Sequence, residues 1–405
     1  MEVRGRSAPF AARWAAGTVA GLALALALVA SASGQDTLGK TTVEQRVVPD
    51  QAEGFRYLGL GPGEGYVVRE QQVGSARSGR ANRRRSMLYV GQLSDFQLAD
   101  EESPARVEFI DTGPFSAAWR PWEAMNPHID DAMVRQMNTF AAASPLTSGD
   151  ESRRAMDFAI NTGDSADSQQ LNETEWVRTL MEGGAIDPNS GIDTPAGYEG
   201  QSCAPGVTDE GPTPRYTGVQ DYDDYFEGGS PQFYDPDVPA GAYAGWPAYP
   251  GLMDRAQQPF TAAGLAVPSY VAIGNHDALV QGNAAANAGY EDVATGCIKV
   301  TSPVVTDPDT LESAFGQMSP ESFASILSSD PNNVALVPPD PRRRFVSKPE
   351  YKDVFRAGSQ SDGHGFDFVD PAEETGSGGM AGYYAWSPRP GFRFISVDTV
   401  SEAGV

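Results

Sequence analysis

Asp95, Asp164, Asn275 and His276 are the residues of this chain best suited to metal binding and acid–base work. They lie in three short segments, Ser94-Asp95-Phe96-Gln97, Thr162-Gly163-Asp164-Ser165-Ala166-Asp167 and Ile273-Gly274-Asn275-His276-Asp277. Carboxylates and amide oxygens are ligands for hard divalent cations, and imidazole both ligates borderline metals and transfers protons near neutrality. The three segments together point to a metal-assisted hydrolase.

Such side chains work only if separate parts of the chain bring them to one place. Each segment follows a short apolar run: Met87-Leu88-Tyr89-Val90, Phe158-Ala159-Ile160 and Tyr270-Val271-Ala272-Ile273. These runs read as buried strands, and ligands at the carboxyl ends of parallel strands converge on one crevice. Between them the pattern turns helical. Ile129, Met133, Met137 and Phe140 recur at helical spacing after Pro127. Trp176, Val177, Leu180 and Met181 mark a second helix, ended by Gly183-Gly184, with Asn172 as a candidate cap. Strand–helix alternation predicts an α/β fold. Tyr383-Tyr384-Ala385-Trp386 and Phe392–Val397 read as two further strands joined by a Pro/Gly turn, and short helices are expected near Leu311–Met318 and Pro320–Leu327.

Phosphate esters resist hydrolysis because their oxygens repel a nucleophile and water is a poor one. Two divalent cations roughly 3.5–4 Å apart relieve both problems. Asp164, after the tight turn at Gly163, fits the bridging carboxylate. Asp95 fits a ligand to the first cation and Asn275 to the second. His276 is the natural proton donor to the leaving oxygen, with Asp277 to orient or charge it.

With these residues in view, the chain resembles the calcineurin-like metallophosphoesterases. Their pattern is Asp-x-His, then Gly-Asp-x-x-Asp, then Gly-Asn-His-Asp/Glu. Gly163-Asp164-Ser165-Ala166-Asp167 and Gly274-Asn275-His276-Asp277 match the second and third motifs in full. The strings Asp167–Glu173 and Asp277–Asn283 are similar to a group of exported actinobacterial members. The resemblance covers roughly residues 83–405. It implies a sandwich of two mixed β-sheets flanked by helices, with loop-rich insertions. It also implies two divalent metal ions (Mn, Fe, Zn, Mg or Ca) and attack on a phosphomonoester or phosphodiester by a hydroxide bridging them.

The chain departs from the pattern in two places. Gln97 stands where the first motif carries His, which exchanges an imidazole for a harder amide oxygen and shifts metal preference toward Mn, Mg or Ca. The family's later histidine motifs follow the strand that Phe392–Val397 resembles, and the chain ends at Val405 before them. The expectation is a C-terminally incomplete site with little or no turnover by this polypeptide. The alternatives are a non-catalytic ligand-binding protein on the same scaffold, or an inactive truncated fragment. Of the other histidines, His364 in Gly363-His364-Gly365 is a candidate substrate contact, and His128 reads as structural.

Composition sets the remaining bounds. A formal charge of −25 argues against nucleic-acid backbones as partners. Arg4, Arg6 and Arg13, the apolar run Val19–Ala30 and the small residues Ala30-Ser31-Ala32 form a secretory signal layout over residues 1–32. This predicts a secreted or extracytoplasmic protein with no stable membrane span after cleavage. Residues 33–82 read as an irregular linker, and the Arg83-Arg84-Arg85 run that follows as a solvated loop. The metallophosphoesterase domain would occupy 83–405. Within it, 185–250, rich in Gly, Pro, Asp and Tyr, reads as an insertion near the site. The chain's two cysteines, Cys203 and Cys297, could pair or remain separate thiols.

Overall fold

The computed structural model of the chain describes residues 37–50, 57–65, 69–75, 77–83, 85–106, 108, 111, 118–147, 152–191, 217–220, 233–301, 334–360 and 362–401. The signal-like segment, Cys203, residues 192–216 and 221–232 of the expected insertion, and the expected helices near 311–327 lie outside the described residues. The fold is mixed α/β, built from several small sheets and helices.

The central sheet has three parallel strands, β3 (Val90–Leu93), β4 (Phe158–Asn161) and β7 (Ser269–Val271), in that spatial order. These are the three expected runs, shifted by up to three residues toward the motif at β3. Gly91 opens β3 to a helix: a Cβ there would stand 2.7 Å from Met137 Sδ. Four antiparallel pairs complete the sheets. They are β1 (Gln45–Pro49) with β2 (Leu58–Pro62), β5 (Gly184–Ile186) with β6 (Phe260–Ala262), β8 (Ile298–Val300) with β9 (Val334–Leu336), and β10 (Tyr384–Trp386) with β11 (Phe394–Ser396). The β1–β2 hairpin falls in the segment expected to be irregular. Only one of its faces is shielded, with Val47, Leu58 and Leu60 exposed, so alternation is hard to see in the sequence.

The β10–β11 pair packs on the central sheet through aromatic rings. Phe158 meets Tyr270, Trp386 and Phe394 edge-on at 5.3, 5.7 and 5.1 Å, and Tyr270 stacks on Trp386 at 4.3 Å. Edge-to-face and offset-stacked pairs at these distances contribute about 0.5–1.5 kcal/mol each beyond burial.

Helix α1 (Asn126–Ala141) follows β3 and helix α2 (Leu171–Glu182) follows β4. In α1 the inward face is rotated from the apolar stripe. Ile129 and Met133 are exposed, whereas Val134 is buried. Polar side chains fix that face: Asp131 Oδ1 accepts Ala263 N at 2.8 Å, and Asn138 bonds Gly264 O and Ala266 N. In α2, Trp176, Val177, Leu180 and Met181 enter the main core as the spacing predicts. Its cap is Gln170 rather than Asn172. The Gln170 side chain accepts the Glu173 N–H while Glu173 bonds back to Gln170 N, a reciprocal capping box. Asn172, the second residue of the helix, donates instead to Asp100 Oδ2 at 2.7 Å. Helix α3 (Ala288–Ala294) and helix α4 (Lys348–Arg356) complete the elements used below.

Candidate metal centre

The loops after β3, β4 and β7 meet at the carboxyl edge of the sheet. The β3 and β4 loops stay zipped beyond their strands: Asp95 N donates to Gly163 O at 3.1 Å, Gln97 N to Asp164 O at 2.9 Å and Leu98 N to Ser165 O at 3.0 Å. The β7 loop joins through Asp164 Oδ1, which accepts His276 N at 3.1 Å. Glycine makes this approach possible. A Cβ on Gly274 would stand 2.1 Å from Asp164 Oδ1, and one on Gly163 would stand 2.9 Å from Gly274 Cα. These two glycines of the motifs are spacers between backbones.

Three of the four candidate ligands have left-handed backbones: Asp95 at φ 54°, Gln97 at φ 42° and Asp164 at φ 52°. Residues other than glycine held there cost about 1–3 kcal/mol each and concentrate at functional sites. Asp95 and Asn275 are exposed, and Gln97 and Asp164 partly so. Asn275 Nδ2 donates to Gly282 O at 3.0 Å, which leaves its Oδ1 as the free coordinating atom. Ser94 Oγ bonds the Asp95 carboxylate. The donor set is two carboxylates and two amide oxygens, which fits a hard divalent cation and lacks any imidazole. Among the described residues, no group of three or more His, Cys, Asp or Glu side chains is arranged to hold a metal ion.

His276 is buried behind this rim. Its Nδ1 bonds Asp167 O at 2.8 Å, and the Asp167 carboxylate lies 3.6 Å from the same nitrogen. Because a carbonyl oxygen only accepts, Nδ1 carries the proton and Nε2 is the working nitrogen. Gly282 crowds Nε2 so closely that a Cβ there would stand 2.6 Å away.

The orienting role expected of Asp277 belongs to Asp167. The Asp277 carboxylate is buried and faces three backbone N–H groups, Ser165 at 2.8 Å, Ala166 at 3.0 Å and Gly274 at 2.8 Å. It ties the second motif to the third instead of touching the imidazole. Burial pushes its carboxyl up to about 7, against the pull of those N–H groups.

His364 is not brought to the rim. It is fully buried, with Nδ1 bonded to Ser269 Oγ at 3.0 Å and Nε2 to Glu182 Oε1 at 3.2 Å. Ser269 opens β7, so this histidine sits at the end of the strand opposite the ligands. Both ring nitrogens are used, and substrate contact is replaced by a structural role. His128 is structural too, bonding Ala256 O at 3.1 Å and tilting over Phe260.

Sequence reasoning missed the charge network behind Asp167. Arg106 is fully buried, 2.6 Å from Glu123, 3.3 Å from Glu101 and from Glu108, and 3.8 Å from Asp167. Arg120 reaches Asp167 and Glu123 at 3.4 Å each. Burial opposes ionisation of Asp167, but Arg106, His276 and Arg120 outweigh it and hold its carboxyl below the usual range. Lys299 Nζ, also buried, bonds Glu108 at 2.8 Å. The signal was present in Asp100-Glu101-Glu102 and Arg106 directly after the first motif, where a run of charges reads by default as surface.

The described part of the 185–250 insertion packs on the segment that carries Arg120. Phe233 meets Trp119 edge-on at 4.9 Å, and Tyr234, Tyr243 and Trp246 continue the cluster. Cys297 is buried and disulfide-bonded. Among the described residues no helix is long and apolar enough to cross a membrane. No family model, no curated protein and no solved structure matches the chain.

Proposed function

We propose that this chain is an exported, metal-dependent phosphoesterase of the calcineurin-like type, acting on a phosphate mono- or diester. The observation that carries the reading is the convergence of Asp95, Gln97, Asp164 and Asn275, from three strand ends, around a rim with His276 directly behind it.

Asp95, Gln97, Asp164 and Asn275 would hold the cation. When bound, it would neutralise phosphoryl charge and acidify water. The rest is the chain's own work. Asp164 joins the second loop to the third by accepting His276 N. Gly282 fixes the Asn275 amide so that its oxygen faces outward. Asp167 fixes the imidazole tautomer through its carbonyl, and Arg106 and Arg120 help hold its nearby carboxylate anionic. Protonated, His276 can pass the Nε2 proton to a departing alkoxide.

The test is Mn²⁺ titration of the purified chain, followed by hydrolysis of an aryl phosphate monoester and a diester, with Asp164→Asn as control. Saturable binding and turnover that both vanish in the variant support the reading. Binding without turnover supports the non-catalytic alternative. No binding overturns the metal site.

A further inference from the structure

Beneath the rim runs a buried polar chain that extends beyond the three motifs. Tyr351, fully buried on α4, donates to Ser165 Oγ at 3.2 Å and lies against the Asp277 carboxylate. Ser165 Oγ also accepts from Asn161 Nδ2 at 3.1 Å, and Asn161 Oδ1 accepts Gly163 N at 3.1 Å. Asp277 accepts the N–H groups of Ser165, Ala166 and Gly274. Asn161, Ser165, Asp277 and Tyr351 are each at most 1% exposed.

Most links of this network end on a residue beside a candidate ligand. Gly163 and Ser165 flank Asp164, and Gly274 precedes Asn275. Asp164 itself is held in a left-handed conformation against a backbone that admits no Cβ. Such a geometry persists only where its surroundings over-determine it. The loop-to-loop bonds fix it from one side, and this network supports it from below. The hydroxyl of Tyr351 reaches the network from a distant helix. Helix α4 is set by Ser347 and Glu350 in a capping box, and Lys352 Nζ anchors it further on Ala381 O and Glu374.

We propose that Tyr351 is a positioning residue for the cation-binding rim, holding the second and third motif loops in register through Ser165 and Asp277. The cation part of this inference rests on the metal reading above, while the loop-holding part does not. Partners behind a ligand shell of this kind change metal affinity by about 10–100-fold when removed.

The experiment compares Tyr351→Phe with Tyr290→Phe in the full chain. Tyr290 is another buried tyrosine, whose hydroxyl bonds Ala105 O at 2.6 Å rather than Ser165 or Asp277. Two quantities are read, amide hydrogen exchange by peptide and Mn²⁺ affinity. Y351F should accelerate exchange about 10-fold in peptides spanning 161–167 and 272–278 and weaken Mn²⁺ binding about 10-fold, whereas Y290F should do neither. Ser165→Ala, which removes the acceptor and keeps the phenol, should reproduce the exchange pattern. It also decides the matter if Y351F fails to fold. Unchanged exchange in both peptides, or an increase shared with Y290F, overturns the proposal. If the native chain binds no Mn²⁺, the phosphoesterase reading fails, and the exchange data still decide the role of Tyr351.

Discussion

Asp164 and His276 are joined through main chain rather than imidazole: the carboxylate oxygen of one accepts the backbone N–H of the other at 3.1 Å. The candidate ligand and the candidate acid are thus tied to each other by this contact. Asp164→Asn keeps an acceptor for His276 N and removes a charge. Its thermal midpoint should stay close to that of the native chain while Mn²⁺ affinity falls by about 100-fold, since ligand charge sets affinity at oxygen sites. Calorimetric titration beside a melting curve checks both halves.

Gly274→Ala should be far more damaging than its size suggests. The new methyl would sit 2.1 Å from Asp164 Oδ1 and 2.2 Å from Asp164 N, so backbone must move. A loss of about 1–3 kcal/mol in urea unfolding is expected, the ordinary cost of overpacking. A stability equal to that of the native chain would mean the two loops are further apart.

Gln97→His introduces an imidazole at a position already held in a left-handed backbone, φ 42°. Softer, nitrogen-seeking metals should gain most. The ratio of Zn²⁺ to Mg²⁺ affinity should rise by about 10-fold or more relative to the native chain, as read in competition titrations. An unchanged ratio would remove residue 97 from the ligand set.

Burial lowers the pKa of His364 below its ordinary 6.5, outweighing the bond to Glu182. A histidine depressed in the folded state favours folding above the unfolded pKa, and that contribution is lost as pH falls through the folded pKa. Stability should therefore decline below about pH 6.5. Substituting His364→Gln, which cannot titrate, should flatten the decline between pH 6.5 and 4.5. Denaturation midpoints at four pH values measure the slope.

Arg106 is the single cation whose removal should do most harm. It faces Glu101, Glu108, Glu123 and Asp167 with no exposure of its own side chain. Arg106→Met would strand buried carboxylates, at a cost of about 3–5 kcal/mol. Equilibrium unfolding should show it as the least stable of the variants described.

Local signals told much of this in advance, and non-local ones did not. The apolar runs before Ser94, Thr162 and Gly274 announced the three strands, because a buried parallel strand is a short apolar run. The glycines and acids after them announced the rim. The sequence misled where a partner is remote. Asp277 stands next to His276 in the chain, yet the imidazole turns to Asp167, whose carbonyl comes from another loop. His364 looked free in a glycine loop, but Glu182 and Ser269 enclose it from two other elements. Ile129 and Met133 kept helical spacing, and the helix turned its Asp131 and Asn138 inward because backbone donors and acceptors waited there. Residue type predicts an environment only when that environment lies nearby in the chain.

The parallel sheet also determines when the rim can exist. Val90 pairs with Phe158 across about 70 residues, and Ala159 with Ser269 across about 110. Neither pairing can nucleate locally, and both must close long loops before their contacts repay the lost entropy. Asp95, Asp164 and Asn275 stay far apart until the sheet has closed. On the proposed reading a cation would therefore not template the fold; it would meet a nearly finished molecule and add stability by mass action.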